Sequence, residues 1–83
     1  MTSNQKQVLD CIRQYWKQHG YSPSYRDISV ETGKALSYVY KVVGVLYERG
    51  FIRVDRKRAR SIYPIDVWHE LRDRSGAETE KTQ

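Results

Sequence analysis

The chain has 83 residues and a formal net charge of +5 at pH 7. A chain of this length forms one small domain, and it buries too little surface to hold a deep catalytic cleft as well as a core. Its single cysteine, Cys11, excludes an intramolecular disulfide framework and a cysteine-based zinc site. No apolar run approaches the roughly 20 residues that span a bilayer, and the first residues lack the regions of a signal peptide. We therefore expect a cytoplasmic protein with no membrane partner and no cofactor.

The positive charge is concentrated before residue 66. Residues 1–65 hold 12 Lys and Arg against 5 Asp and Glu, whereas residues 66–83 hold 3 against 5. About half of the excess lies between residues 53 and 60. The basic residues of that segment are Arg53, Arg56, Lys57, Arg58 and Arg60. Positive charge focused in this way favours a polyanionic partner.

The first predicted helix begins at a capping box, in which Thr2 and Gln5 satisfy each other's backbone N–H groups. Apolar residues then recur at helical spacing, with charged residues on the opposite side. The predicted apolar face consists of Val8, Leu9, Ile12, Tyr15, Trp16 and His19. Gly20 ends the helix. We interpret His19 as structural, because it stands at a helix C-terminus without neighbouring metal ligands or catalytic partners in the sequence.

A short second helix and a tight turn follow. Ser24 and Asp27 form a second capping box, which opens a helix of about two turns. Gly33 supplies the positive φ of the turn. Ser29 is small enough to lie where two steeply crossing helices approach each other.

The third predicted helix covers residues 36–49, with Ser37 as its expected N-cap. Its predicted buried stripe consists of Leu36, Val39, Val43 and Leu46. The residues predicted to point outward are Ser37, Tyr38, Lys41, Gly44, Val45 and Glu48. Gly44 is unusual among them, because glycine in a helix interior costs about 1 kcal/mol relative to alanine. We interpret it as a point of close approach to a phosphate backbone or to another helix.

The first turns of this helix carry side chains suited to reading DNA. The candidate base contacts are Ser37, Tyr38, Tyr40 and Lys41. Lysine bonds guanine O6 and N7, a tyrosine ring contacts a thymine methyl group, and hydroxyl groups reach phosphate. Two alternatives stay open: Tyr40 borders the buried stripe and fits the core edge equally well, whereas Tyr38 and Lys41 also fit ordinary solvated surface.

Residues 51–63 are typical of a β-hairpin wing. The predicted strands, 51–54 and 60–63, flank a basic turn. We expect Arg56, Lys57 and Arg58 at its tip to clamp phosphates or to enter a narrow minor groove, and Arg53 and Arg60 to contact flanking phosphates. A run of like charges is usually only a solvated loop, and its place directly after a helix-turn-helix favours the DNA interpretation. Further candidate backbone contacts are Ser24, Arg26 and Lys34.

The predicted fold is α+β and mainly helical: a winged helix-turn-helix of three helices plus a two-stranded wing over residues 1–65. Asp66 is expected to cap a short C-terminal helix over residues 67–74, which is too short to stand alone. Its Trp68 and Leu71 either pack back on the domain or contact a second copy. Residues 75–83 are expected to form a disordered polar tail.

Four segments in order carry a family resemblance. They are the first-helix pattern T-x-x-Q-x-x-V-L-x-x-I from Thr2, then GYSPS at 20–24, RDIS at 26–29 and LYERGFI at 46–52. They resemble the N-terminal DNA-binding domain of the LexA repressor family over about three quarters of the chain. The resemblance implies that Ser37, Tyr38, Tyr40 and Lys41 face base edges of operator DNA.

This sequence also departs from the family pattern. The turn after Gly33 is one residue shorter, Thr32 stands where a leucine is common, and the four reading positions carry unfamiliar side chains, so we expect a different operator. The family's self-cleaving protease domain has no counterpart in these residues, so autoproteolysis does not follow from the resemblance. Neither does a role in the DNA-damage response.

The favoured hypothesis is a sequence-specific regulator that binds double-stranded DNA, either a repressor or a phage or mobile-element control protein, with a homodimer on DNA as one possible form. The alternative is a protein–protein interaction module that presents its tyrosine face or Trp68 to a protein partner. An enzyme is not predicted, because the sequence offers no paired carboxylates, metal cluster or nucleophile with a partner base.

Overall fold

The computed structural model describes residues 2–55 and 61–71. The elements run in the order α1 (Ser3–His19), α2 (Tyr25–Thr32), α3 (Leu36–Glu48), β1 (Ile52–Val54) and β2 (Ile62–Pro64). A further helix, α4, covers residues 65–71. In the described part of the chain this is the predicted mainly helical α+β architecture, in which a two-stranded antiparallel ribbon follows the three helices of a helix-turn-helix.

Both predicted capping boxes are confirmed. The Thr2 hydroxyl accepts a hydrogen bond from the Gln5 N–H at 3.2 Å, and the Gln5 side chain accepts one from the Thr2 N–H. Ser24 and Asp27 exchange the equivalent pair at the start of α2, each at 3.0 Å. Because these bonds satisfy N–H groups that have no partner within the helix, they fix where α1 and α2 begin.

The turn between α2 and α3 is closed by Ser29. Its hydroxyl donates a hydrogen bond to the Lys34 carbonyl at 2.6 Å. Gly33 has φ 70° and lies in the left-handed region, as predicted. The sequence indicated a role for Ser29 through its small size, and the structure gives its hydroxyl a role in holding the turn.

One hydrophobic core joins the three helices to both strands. Its buried side chains are Val8, Leu9, Ile12, Ile28, Val39, Val42, Val43, Leu46, Ile52 and Ile62. The predicted stripe of α3 is confirmed for Val39, Val43 and Leu46, whereas Leu36 in the first turn is only partly buried. Val42 is the buried residue that the predicted stripe omitted. The stripe is therefore centred closer to Val42, which changes the side of α3 that faces outward.

The prediction that Ser37 caps α3 is wrong. The N-cap is Ala35, which makes no side-chain capping bond. Its backbone is extended, and its carbonyl accepts the Val39 N–H at 3.0 Å, so the helix already begins at Leu36. Ser37 consequently lies inside the first turn, and its hydroxyl is not used as a cap.

Strand β1 begins one residue later than predicted, at Ile52, and β2 extends one residue further than predicted, to Pro64. Its register pairs Ile52 with Pro64, Arg53 with Tyr63 and Val54 with Ile62. Phe51 lies outside β1 because its N–H closes the end of α3 on the Leu46 carbonyl at 3.0 Å. The basic wing residues at 56–60 lie outside the described residues.

The prediction that Asp66 caps the C-terminal helix is also wrong. Helix α4 begins at Ile65, directly after β2, so Asp66 is already helical. The Ile65 N–H bonds the Phe51 carbonyl at 3.0 Å, so the first residue of the helix is tied to the residue before β1. The remainder of the predicted helix, 72–74, and the predicted tail, 75–83, lie outside the described residues.

Candidate nucleic-acid interface

The exposed side of α3 brings together three of the four residues predicted to contact bases. Ser37, Tyr40 and Lys41 are exposed, and Gly44 continues the same stripe one turn further along. Spacings of three and four residues place them on one face, opposite the buried stripe. We call this stripe the reading face.

Tyr38 does not belong to this face. Its side chain is half-buried and packs against the hydrophobic core. Because Tyr38 and the buried Val42 are four residues apart, they share one side of the helix. Tyr40, which the sequence placed at the border of the core, is 53% exposed instead. Tyr40 thus takes the exposed one of its two open alternatives, whereas Tyr38 is not on the outward side expected for it.

Lys34 lies beside Tyr38 at the turn. Its ammonium group donates a hydrogen bond to the Asn4 side chain at 3.1 Å and lies 5.7 Å from the centre of the Tyr38 ring. A cation above an aromatic ring is attracted by the ring's negative face. The lysine thereby links the start of α1 to the turn before α3.

The other predicted backbone contacts surround the helix-turn-helix. The Ser24 hydroxyl serves as the N-cap of α2, and Arg26 is exposed in the first turn of that helix. Arg53 is exposed on β1 and pairs with Tyr63, on the ribbon face opposite Ile52 and Val54. Four further wing candidates lie outside the described residues: Arg56, Lys57, Arg58 and Arg60.

Two residues that the sequence did not single out as functional fix the ribbon relative to the helices. The buried Ser22 hydroxyl accepts the Ile62 N–H at 2.8 Å and donates to the Pro23 carbonyl at 2.8 Å. The Trp16 indole N–H donates to the Ile62 carbonyl at 2.7 Å. Both backbone polar groups of Ile62 are thus satisfied from α1 and from the segment before α2. A tryptophan on the apolar face of a helix indicates that its indole N–H needs a hydrogen-bond acceptor. The sequence does not show which residue supplies that acceptor.

A groove lined by aromatic rings adjoins the reading face. The rings of Tyr25 and Tyr40 lie 4.4 Å apart between centroids, at an interplanar angle of 36°. The groove has a volume of about 190 Å³. Its lining residues are Tyr25, Tyr40, Val43, Gly44, Tyr47 and Val54. We call this feature the tyrosine groove; the sequence identified neither Tyr25 nor Tyr47 as part of a site.

Other chemistry is sparse in the described residues. Burial raises the pKa of the Cys11 thiol from 9.0 to about 11, and the Glu31 and Asp27 carboxylates add to that rise. Such a shift disfavours the reactive thiolate. Across residues 2–55 and 61–71, no three His, Cys, Asp or Glu side chains are grouped so as to hold a metal ion. None of the helices in that part of the chain is long and apolar enough to cross a membrane.

Comparison with known proteins decides the family. The sequence model of the LexA DNA binding domain family matches residues 1–61 of this chain, which include the helix-turn-helix and β1. The chain belongs to the LexA DNA-binding domain family. The resemblance predicted from the ordered sequence segments is therefore confirmed.

Individual LexA repressors align over most of this chain but over a small part of their own length. The LexA repressor of Syntrophomonas wolfei is 44% identical over 63 residues, covering 75% of this chain and 31% of the repressor. That of Bifidobacterium adolescentis is 35% identical over 68 residues, covering 81% and 26%. That of Moorella thermoacetica is 45% identical over 56 residues, covering 66% and 27%. The chain thus spans less than a third of the length of these LexA repressors.

The C-terminal helix packs back on the LexA-type domain. The Trp68 ring contacts Tyr63 edge-on at 5.4 Å between centroids, and the Tyr63 ring also contacts Trp16 at 5.3 Å. Trp68 is half-buried in this arrangement, and Leu71 lies at the exposed end of the described helix. Trp68 therefore contacts its own domain, which is one of the two placements expected for it, and its contact with a second copy stays a prediction.

Proposed function

We propose that this chain is a sequence-specific transcriptional repressor that binds double-stranded DNA with the reading face of α3 in the major groove. The observation that carries the proposal is the stripe of Ser37, Tyr40 and Lys41, which is exposed at the start of α3 in a domain of the LexA family. Docking geometries of helix-turn-helix proteins place the first turns of this helix against base edges. Repression follows from occupying a promoter.

The reading face has the chemistry for direct readout. Lys41 donates to guanine O6 and N7, Ser37 bonds a base edge or a phosphate, and the Tyr40 ring contacts a thymine methyl group. Tyr38 is left out of the proposed base contacts because its side chain packs against the core. We assign to Tyr38 a role in supporting the turn before α3, where the Lys34 ammonium group lies above its ring.

Contacts to the phosphate backbone would set the position of the domain on the duplex. Arg26 lies in the first turn of α2, where helix N–H groups and a positive side chain both attract phosphate. The wing supplies the rest of the proposed contacts: Arg53, Arg56, Lys57, Arg58 and Arg60. Such contacts strengthen binding to every DNA sequence, whereas the reading face supplies the preference for one base sequence over others.

Selection from a pool of random duplexes tests the proposal. Sequencing the bound fraction should return one enriched motif, which we call the operator. Replacing Lys41 by alanine should then cost about 1–3 kcal/mol on the operator and relax the preference at one base pair. Arg13→Ala is the matched control, since it removes an exposed cation from α1. Equal losses for Lys41→Ala on operator and shuffled DNA would refute base readout.

The motif also tests whether two copies bind together. A dimer on DNA would give a palindrome whose half-sites lie about 10 bp apart, or a multiple of that spacing. Because Trp68 packs on Tyr63, we assign the pairing to the DNA geometry and not to the tryptophan. A single asymmetric motif would contradict the dimer and leave monomeric recognition in place.

A further inference from the structure

We propose that the tyrosine groove recognises the C5-methyl group of a pyrimidine in the operator, so that thymine and 5-methylcytosine are distinguished from uracil and cytosine. The inference rests on the proposed function, because it requires the reading face to lie in the major groove. It gives Tyr25 and Tyr47 a role in recognition beside that of Tyr40.

The groove is lined by aromatic rings with their hydroxyl groups and by valine side chains, which come from separate elements. Tyr25 extends from the start of α2, Tyr40 and Tyr47 from α3, and Val54 from β1. The Tyr25 and Tyr40 rings contact each other, so the Tyr40 ring is supported before any partner arrives. A rigid, supported ring loses little conformational entropy when it makes a contact.

Gly44 keeps the groove open. A Cβ built on this residue would have no heavy atom within 4 Å, so no neighbouring group of the described chain requires a glycine there. The glycine leaves a stretch of helix backbone uncovered between Tyr40 and Tyr47, which are 53% and 40% exposed. An external group can therefore approach α3 more closely here than beside any other side chain of the reading face.

Size and charge favour a DNA edge as the occupant. A volume of about 190 Å³ lies below the roughly 300–1,000 Å³ typical of pockets that enclose a small-molecule ligand. The groove continues the stripe that carries Lys41, and Arg26 follows Tyr25 in α2; both cations are exposed. The apolar group that duplex DNA presents in its major groove is the C5-methyl of thymine. A methyl-bearing pyrimidine thus offers a carbon group to the tyrosine rings and valine side chains of the groove, and its phosphate backbone suits the two exposed cations.

Replacing each operator thymine in turn by uracil tests the inference, because the change removes one methyl group and preserves base pairing. Affinities would be measured by fluorescence anisotropy at one fixed salt concentration. We expect one thymine per binding site to be sensitive, with a loss of about fourfold for a buried methyl group. A 5-methylcytosine placed there should bind more tightly than cytosine by a similar factor.

Variants then connect the effect to the groove. Tyr40→Ala should bind thymine and uracil duplexes equally, whereas Tyr40→Phe, which keeps the ring, should retain the difference. Tyr21→Ala is the matched control, since Tyr21 is an exposed tyrosine whose ring contacts Tyr15 and His19 instead of the groove. Circular dichroism of each variant checks that it is folded.

The outcomes separate the two proposals. An operator that binds selectively but contains no methyl-sensitive pyrimidine would overturn the role of the groove and leave sequence-specific binding intact. A uracil effect that persists in folded Tyr40→Ala would overturn it as well. Failure to enrich any duplex would overturn the proposed function, and the groove's role with it.

Discussion

Replacing Gly44 by alanine should stabilise the protein and weaken its binding to DNA. Gly44 lies in the interior of α3 and is exposed, and its Cβ position is empty to 4 Å. Alanine is therefore accommodated without strain, and it favours the helix by about 1 kcal/mol over glycine. For a domain of this size such a gain raises Tm by roughly 4–8 °C.

The same methyl group should obstruct DNA. If α3 lies in the major groove with Gly44 against the duplex, the added carbon enters a packed contact, where excess volume typically costs about 1–3 kcal/mol. Since about 1.4 kcal/mol is a factor of ten in affinity, the operator Kd should rise by about 5- to 150-fold. Stability and binding thus change in opposite directions, so loss of folded protein cannot account for the weaker binding.

Thermal unfolding followed by circular dichroism, together with anisotropy titrations of the operator, measures both quantities. Gln18→Ala, an exposed change on α1, is the control and should leave the Kd unaltered. A Gly44→Ala protein with raised Tm and unchanged affinity would refute close approach of DNA to this part of α3. A lowered Tm would refute the account of Gly44 as an unobstructed helix position.

Three further predictions concern the wing, its anchor and the thiol. Ser22→Ala should lower the free energy of unfolding by about 1–3 kcal/mol in urea, because the buried Ile62 N–H loses its acceptor; an unchanged midpoint would contradict the anchor. Replacing basic residues 56–58 by alanine should reduce the slope of log K against log salt by about 0.9 for each phosphate that is no longer neutralised, and an unchanged slope would remove the wing from the interface. With its pKa raised from 9.0 to about 11, the Cys11 thiol should react about 100-fold more slowly at pH 8 in the native protein than in urea. Because the pKa of Cys11 is higher in the folded protein than in the unfolded one, the contribution of the protonated thiol to stability is present below pH 9.0 and is lost as pH rises through about 11. Equal labelling rates for the native and the unfolded protein would contradict the raised pKa.

Local features of the fold were predictable from the sequence. The capping boxes at Thr2 and Ser24 depend on residues three positions apart, and the glycine at position 33 is required by the backbone of its own turn. Interactions of this range leave a direct signature in the chain. The order of elements and the helical stripe of the core follow from the same local patterns.

The orientation of the candidate site was not predictable in the same way. Whether Tyr38 or Tyr40 faces outward depends on the burial of Val42, which is set by the elements packed against α3. The bond from Trp16 to the Ile62 carbonyl spans 46 residues, and the tyrosine groove joins residues of two helices and a strand. Helical periodicity identifies a face but does not fix its rotation against distant partners.

Sequence-specific recognition is measured by the ratio of the Kd for shuffled DNA to the Kd for the selected operator, at about 0.15 M ionic strength. Specific DNA-binding proteins favour their sites by about 10³-fold or more over non-specific sequence at physiological salt. The reading face of α3 predicts a ratio of at least about 10³, which Lys41→Ala should lower by about 5- to 150-fold. A ratio near one would contradict sequence-specific recognition by this domain.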